Sequence, residues 1–109
     1  MFITTTKIVA VHDGDTLSGT SFLGFGVSYS TTFRLRGVNA PEIADKPAGV
    51  AARDFLRGLV LNSTLPTQVY GQEKYGRWLA DFLVDGRTLT EIMIQAGHAV
   101  AWDGKGVRP

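Results

Sequence analysis

A chain of 109 residues has the length of one compact domain, and 44% hydrophobic with 10% aromatic content is enough for a single core, which excludes a disordered protein. Eleven basic against ten acidic residues leave a net charge of +1, so a strongly basic nucleic-acid coat is excluded and any attraction for phosphate rests on a few placed arginines. The absence of cysteine removes disulfides, thiol nucleophiles and the usual structural zinc sites together.

Residues 2–12 (FITTTKIVAVH) are rich in Ile, Val and Thr and run into Asp13-Gly14-Asp15, turn chemistry that reverses a strand. Thr16–Thr20 pairs back, and the glycines of Phe22–Gly26 (FLGFG) separate it from an extended run over Val27–Val38. A three-stranded meander is expected. Alternation along the third strand places Phe33 and Leu35 on the core face, with Arg34 and Arg36 together on a face that meets water. Pro41 cannot donate to a ladder, so Asn39-Ala40-Pro41-Glu42 ends the sheet and Glu42 starts a loop.

Beyond Asp45-Lys46-Pro47, the residues Ala52, Phe55, Leu56, Leu59 and Val60 recur at the spacing of an amphipathic helix. Leu65–Tyr70 and Arg77–Val84 read as two more strands, and in the second Trp78, Ala80, Phe82 and Val84 share the core face, opposite Arg77 and Asp81. Thr88-Leu89-Thr90-Glu91 has the form of a capping box, and Gly97 stops the helix it opens. His98–Trp102 suggests a short strand, and Asp103–Pro109 (DGKGVRP) a loose polar tail. The sum is an α+β, mainly β domain over residues 1–102, a five-stranded barrel with two helices, followed by a flexible tail.

The candidate chemistry lies in three separated blocks: Asp13-Gly14-Asp15-Thr16, Phe33–Glu42 (FRLRGVNAPE), and Glu73-Lys74-Tyr75-Gly76-Arg77. Fixed guanidiniums and a divalent cation stabilise the charge that phosphodiester hydrolysis places on the non-bridging oxygens. Arg34 and Arg77 suit that task, since arginine stays ionised and its planar fork bonds two phosphate oxygens. Glu42 at a strand end suits a proton acceptor. Taken singly, each has an ordinary explanation: Asp13 and Asp15 as turn formers, Arg34 and Arg36 as a solvated face, Glu42 as a loop acid. Turn chemistry does not explain an arginine at the exit of a distant loop. Two histidines without metal-ligand spacing give no His-based metal site or serine triad, and Gly24-Phe25-Gly26 lacks the strand-to-helix setting of a dinucleotide loop.

In order and spacing these blocks, with Leu79-Ala80, Asp85-Gly86-Arg87 and Gln95-Ala96-Gly97-His98-Ala99, resemble the staphylococcal nuclease (thermonuclease) family over nearly the whole chain. The resemblance implies an OB-fold barrel that cleaves DNA or RNA with Ca²⁺ and little sequence specificity. By position it makes Asp15 a metal ligand, Ala40 a ligand through its carbonyl, Arg34 and Arg77 the phosphate arginines and Glu42 the base. Asn39 stands where the family usually has a second aspartate ligand, and keeps an oxygen without the charge. Lys74 and Tyr75 either touch a nucleotide phosphate, as matching family positions do, or solvate their loop. Arg36 joins them as a candidate nucleic-acid contact.

Three further departures from the family are a longer glycine-rich hairpin before Val27, a short segment between Glu42 and the first helix, and an end at Pro109 where a third helix is common. The lone lysine and three threonines of Met1–Val11 do not form a secretory signal, and no stretch reaches membrane-spanning length, so a cytoplasmic location is expected. Two rival readings stay open: an OB-fold that binds single strands without cleaving them, and a structural or assembly module.

Overall fold

The computed structural model describes residues 1–109. Its first strand, β1 (Phe2–Asp13), buries Thr6 and Ile8 and exposes Lys7 and Val9, the alternation of a strand with one face in a core. A register shift between Ile8 and Ala10 changes the phase, so Val11 is buried in turn. The chain reverses through Gly14 and Asp15 into β2 (Thr16–Gly24), then at a glycine-flanked tip into β3 (Val27–Leu35). There Phe25 is fully exposed between Gly24 and Gly26, and all three residues have positive φ.

β3 is shorter than the extended run expected through Val38, because Gly37 at φ +85 turns the chain. The next pair of extended residues, β4 (Val38–Asn39), therefore leaves the main sheet. Helix α1 (Ala48–Val60) follows, with Ala52, Leu56 and Val60 fully buried. β5 (Thr64–Gln72) pairs antiparallel with β1, and β6 (Trp78–Val84) with β5. A parallel pairing of Phe33 with Trp78 and Leu35 with Ala80 joins β3 to β6 and closes the five-stranded barrel. The expected α+β architecture, an OB-type barrel with two helices, is the one observed.

Two-residue β7 (Arg87–Thr88) leads into α2 (Leu89–Gln95), which buries Leu89 and Met93. Half of the expected capping box forms: Thr88 Oγ1 accepts the Glu91 N–H at 3.2 Å, while the Glu91 carboxylate turns to Arg87. Asp81 supplies a further cap, accepting the Thr90 N–H at 3.3 Å and the Phe82 N–H at 2.8 Å. It is buried for this purpose, and that burial raises its pKa. Last, β8 (Val100–Ala101) pairs with β4, setting Val100 beside Asn39.

Phe33 and Phe82 meet edge-to-face at 5.4 Å in the core, among Ile8, Leu17, Leu35 and Leu56. No helix is long and apolar enough to cross a membrane. Residues 103–109 carry no helix or strand.

Candidate active site

The β1–β2 turn places Asp15 almost wholly inside, 2% exposed. Its carboxylate accepts the Ala40 N–H at 2.8 Å and the Thr16 hydroxyl at 3.0 Å, and faces Arg34 Nη2 at 3.4 Å. Arg34 also donates to the Leu35 carbonyl at 2.8 Å. The expectation that Arg34 shares a wetted face with Arg36 is corrected: Arg34 is 8% exposed. The turn at Gly37 brings residues 38–40 back against Asp15, so the outward face of β3 is covered at this point. Burial lowers the Arg34 pKa, the Asp15 charge raises it, and the like charges of Arg77 and Arg108 lower it again. Three guanidiniums thus act on one small region.

Arg77 leaves the β5–β6 loop held by Glu73, whose carboxylate accepts from its Nη2 at 2.9 Å, Nε at 3.2 Å and backbone N–H at 3.1 Å. Glu73 raises the Arg77 pKa, and the Asp15 and Asp13 carboxylates act in the same direction. In return the Arg77 hydrogen bonds hold the Glu73 carboxyl below its ordinary range. An opposite charge four residues ahead of Arg77 was a visible sign of this clamp.

Asn39, Ala40 and Glu42 line one lip of a cleft of about 560 Å³, with Asp45, His98 and Arg108 among the residues around it. Two glycines let this lip sit close to the barrel. A Cβ on Gly14 would lie 2.8 Å from the Cβ atoms of Ala40 and Ala52. One on Gly49, in the first turn of α1, would fall 1.7 Å from the Glu42 carbonyl oxygen. A glycine inside a helical pattern was the only signal of that contact. Across the cleft, Arg108 donates from Nη1 to Glu42 Oε1 at 2.5 Å and from Nε to Asn39 Oδ1. No pattern marked Arg108, an isolated arginine in a glycine-rich tail. The tail returns to the cleft through a short turn in which Trp102 Nε1 donates to the Lys105 carbonyl.

The oxygen-donor set suits a hard cation in kind, being carboxylate, amide and carbonyl oxygen without sulfur or imidazole. Asp13 and Asp15 crowd one another at this spot: burial pushes the Asp13 carboxyl up to about 6, with the hydrogen bond and negative charge of Asp15 adding to it. A divalent cation relieves such crowding. The set is sparse in charge, since no three Asp, Glu, His or Cys side chains come together.

Not every candidate joins this site. Arg36 lies with its guanidinium 4.2 Å from the centre of the Tyr70 ring, in a separate cleft with Asp81 and Asp103. Lys74 and Tyr75 sit on the loop that carries Arg77, with Lys74 Nζ 5.1 Å from the Tyr75 ring centre and Tyr75 exposed. Trp78 packs half-buried against the core, as its strand face predicts, and its buried indole N–H has no hydrogen-bond partner. The histidines hold structure: His12 bonds the Ser18 hydroxyl at 2.7 Å and His98 stacks on Phe55 at 4.8 Å.

Residues 32–107, which include Arg34, Asn39, Glu42 and Arg77, match the family model described as staphylococcal nuclease homologue. A staphylococcal-like nuclease of Arabidopsis thaliana is 30% identical over 105 residues, covering 90% of this chain and 32% of that protein. A probable staphylococcal-like nuclease of Oryza sativa subsp. japonica is 38% identical over 73 residues, 64% of this chain and 22% of its own length. The chain thus spans between a fifth and a third of these relatives. With a closed barrel, an arginine paired with a buried aspartate, and a family match across most of its length, the chain belongs to the staphylococcal nuclease family.

Proposed function

We propose that the domain is a nuclease, hydrolysing phosphodiester bonds of DNA or RNA with little sequence preference. The observation that carries this reading is the convergence of Arg34 and Arg77 on the Asp15 region, with Glu42 on the lip of the adjoining cleft. Arg34 is fixed by Asp15 and Arg77 by Glu73, so both guanidiniums are oriented before a phosphate arrives and lose little freedom when it binds. The charge that builds on the non-bridging oxygens then meets donors already in place. Glu42, the more exposed carboxylate, takes the proton of the attacking water, a contribution of roughly 10²–10⁴ in rate. Lys74 and Tyr75, beside Arg77, take a neighbouring phosphate or sugar of a single strand.

Calcium is part of the proposal. Asp15, Asn39 and the Ala40 carbonyl would hold it, with Asp13 as the adjacent carboxylate, and it would add positive charge at the scissile phosphate. The relatives' names speak of nucleases, which supports the same reaction class here.

A second reading has an observation of its own. Arg108 occupies Asn39 and Glu42, the two groups asked to serve the metal and the water, which favours a barrel that binds single strands without cleaving them. One assay separates the two: single-stranded DNA, duplex DNA and RNA incubated with Ca²⁺, Mg²⁺, Mn²⁺ or EDTA. The nuclease reading expects loss of substrate with a divalent ion, abolished by chelation and by Glu42→Ala. Retarded but intact strands in every condition would replace it with the binding module.

A further inference from the structure

The three guanidiniums of the site are held by partners of different strength. Arg34 and Asp15 are 10% and 3% exposed in their side chains, and Arg77 and Glu73 34% and 16%. Arg108 and Glu42 are 43% and 54% exposed. Exposed ion pairs are weak and screened, whereas a buried one is costly to break. Of the three arginines, Arg108 can therefore change partner with the least loss. Its resting partners are one carboxylate oxygen at Nη1 and one amide oxygen at Nε, each taken singly from a different residue, so neither holds the guanidinium in the two-point grip that a phosphate can make on one edge of the fork. It lines an open cleft with Asn39, Glu42, Asp45 and His98 among Ala40, Pro41 and Val100.

Building on the nuclease or single-strand reading above, we infer that Arg108 is a third phosphate-binding residue of this site, parked on Glu42 and Asn39 until a nucleic-acid strand draws it away. The strand's phosphate replaces Glu42 as the acceptor of the guanidinium. The same exchange releases the Glu42 carboxylate and the Asn39 oxygen, so the groups that serve the chemistry become free as substrate binds. Arg108 is then a substrate-binding and positioning residue, distinct from Arg34 and Arg77, whose partners in the barrel stay in place.

Binding of a fluorescent single-stranded oligodeoxythymidylate in EDTA tests this without turnover. Measured from low to moderate salt, the wild-type chain is compared with Arg108→Gln, Arg108→Lys, Glu42→Gln and the Glu42→Gln/Arg108→Gln double variant. Losing one phosphate contact lowers the slope of log affinity against log salt by about 0.7 for a single strand, so Arg108→Gln is expected to show that change. Its affinity is expected to fall about tenfold at low salt, with only a small fall in thermal stability, because the ion pair it removes is exposed and a single part-buried hydrogen bond to Asn39 goes with it. Arg108→Lys keeps the charge and the slope but recovers only part of the affinity. Glu42→Gln tightens binding by removing the negative charge that competes for Arg108, and most of that gain disappears when Arg108 is already Gln. An unchanged slope in Arg108→Gln, or an equal gain from Glu42→Gln in both backgrounds, overturns the inference while leaving the nucleic-acid reading intact. Failure of the wild-type chain to bind the strand at any salt sinks both.

Discussion

The floor of the site and its lip are built on different principles. On the floor, Asp15 in the β1–β2 turn and Arg34 on β3 lie almost without solvent, and Asp15 is held by a backbone N–H and a hydroxyl as well as by the arginine. On the lip, Glu42 follows Pro41 in an irregular segment, and its carboxylate meets an arginine from a part of the chain without helix or strand. A floor of this kind fixes charge in advance, at the expense of burying it; a lip of this kind leaves charge free to be exchanged. The comparison teaches that pre-organisation and exchange are divided between neighbouring elements instead of being compromised in one.

Arg34→Ala tests the division most severely. It strands Asp15 as a buried carboxylate without its cation, and breaking such a pair costs about 3–5 kcal/mol. Glu42→Gln removes one member of an exposed pair and is expected to change stability by less than about 1 kcal/mol, while nuclease turnover falls by roughly 10²–10⁴. Urea denaturation of both variants beside a cleavage assay checks the contrast. Equal loss of stability in the two would erase the distinction between floor and lip.

The floor was also the more legible half. Alternation, turn residues and the helical spacing of Ala52, Leu56 and Val60 reflect local rules, and each gave an element close to the observed one. Asp15, Arg34 and Arg77 stood in blocks whose order could be read. The burial of Arg34 could not, because it depends on where residues 38–40 go after Gly37, and strand periodicity carries no information on what covers a face. The separation of Arg36 from Arg34 has the same origin. Glu73 was half visible, as an opposite charge at the right interval from Arg77. Arg108 was invisible, since its contacts with Asn39 and Glu42 span most of the chain and follow from the pairing of β4 with β8.

Gly49→Ala sharpens the comparison from the side of α1. In a helix alanine is favoured over glycine by roughly 1 kcal/mol, so propensity alone predicts a more stable protein. The new methyl would lie 1.7 Å from the Glu42 carbonyl, so the loop must shift to admit it. A displacement of about 1 Å at a reacting group can cost roughly 10² in rate. The expected outcome is a fall in kcat of that order, with the KM for single-stranded DNA little changed because Arg34 and Arg77 are untouched. Full activity would mean that the exact placement of Glu42 does not matter, and the lip would be less constrained than its glycine suggests.

Asp13 gives the smallest effect and the one that depends on pH. Its carboxyl is pushed from the ordinary 3.8 to about 6, first by burial and then by Asp15, so the folded chain holds this proton more tightly than the unfolded one. Below about pH 3.8 both states carry it and Asp13 is neutral in its effect. Between 3.8 and about 6 only the folded state does, so stability falls as pH rises, and above 6 the full penalty is present. Asp13→Asn keeps the oxygen that accepts the Asp15 N–H at 3.2 Å and removes the charge. Because Asp13 is only partly buried, solvent screening reduces the expected gain to about 1 kcal/mol at pH 7.5, or about 4 °C in Tm, and to nothing near pH 3.5. Thermal melts in EDTA at the two pH values check it. A gain of equal size at both would show that the floor does not hold Asp13 and Asp15 in electrostatic conflict, and would remove crowding as a reason for a cation to bind there.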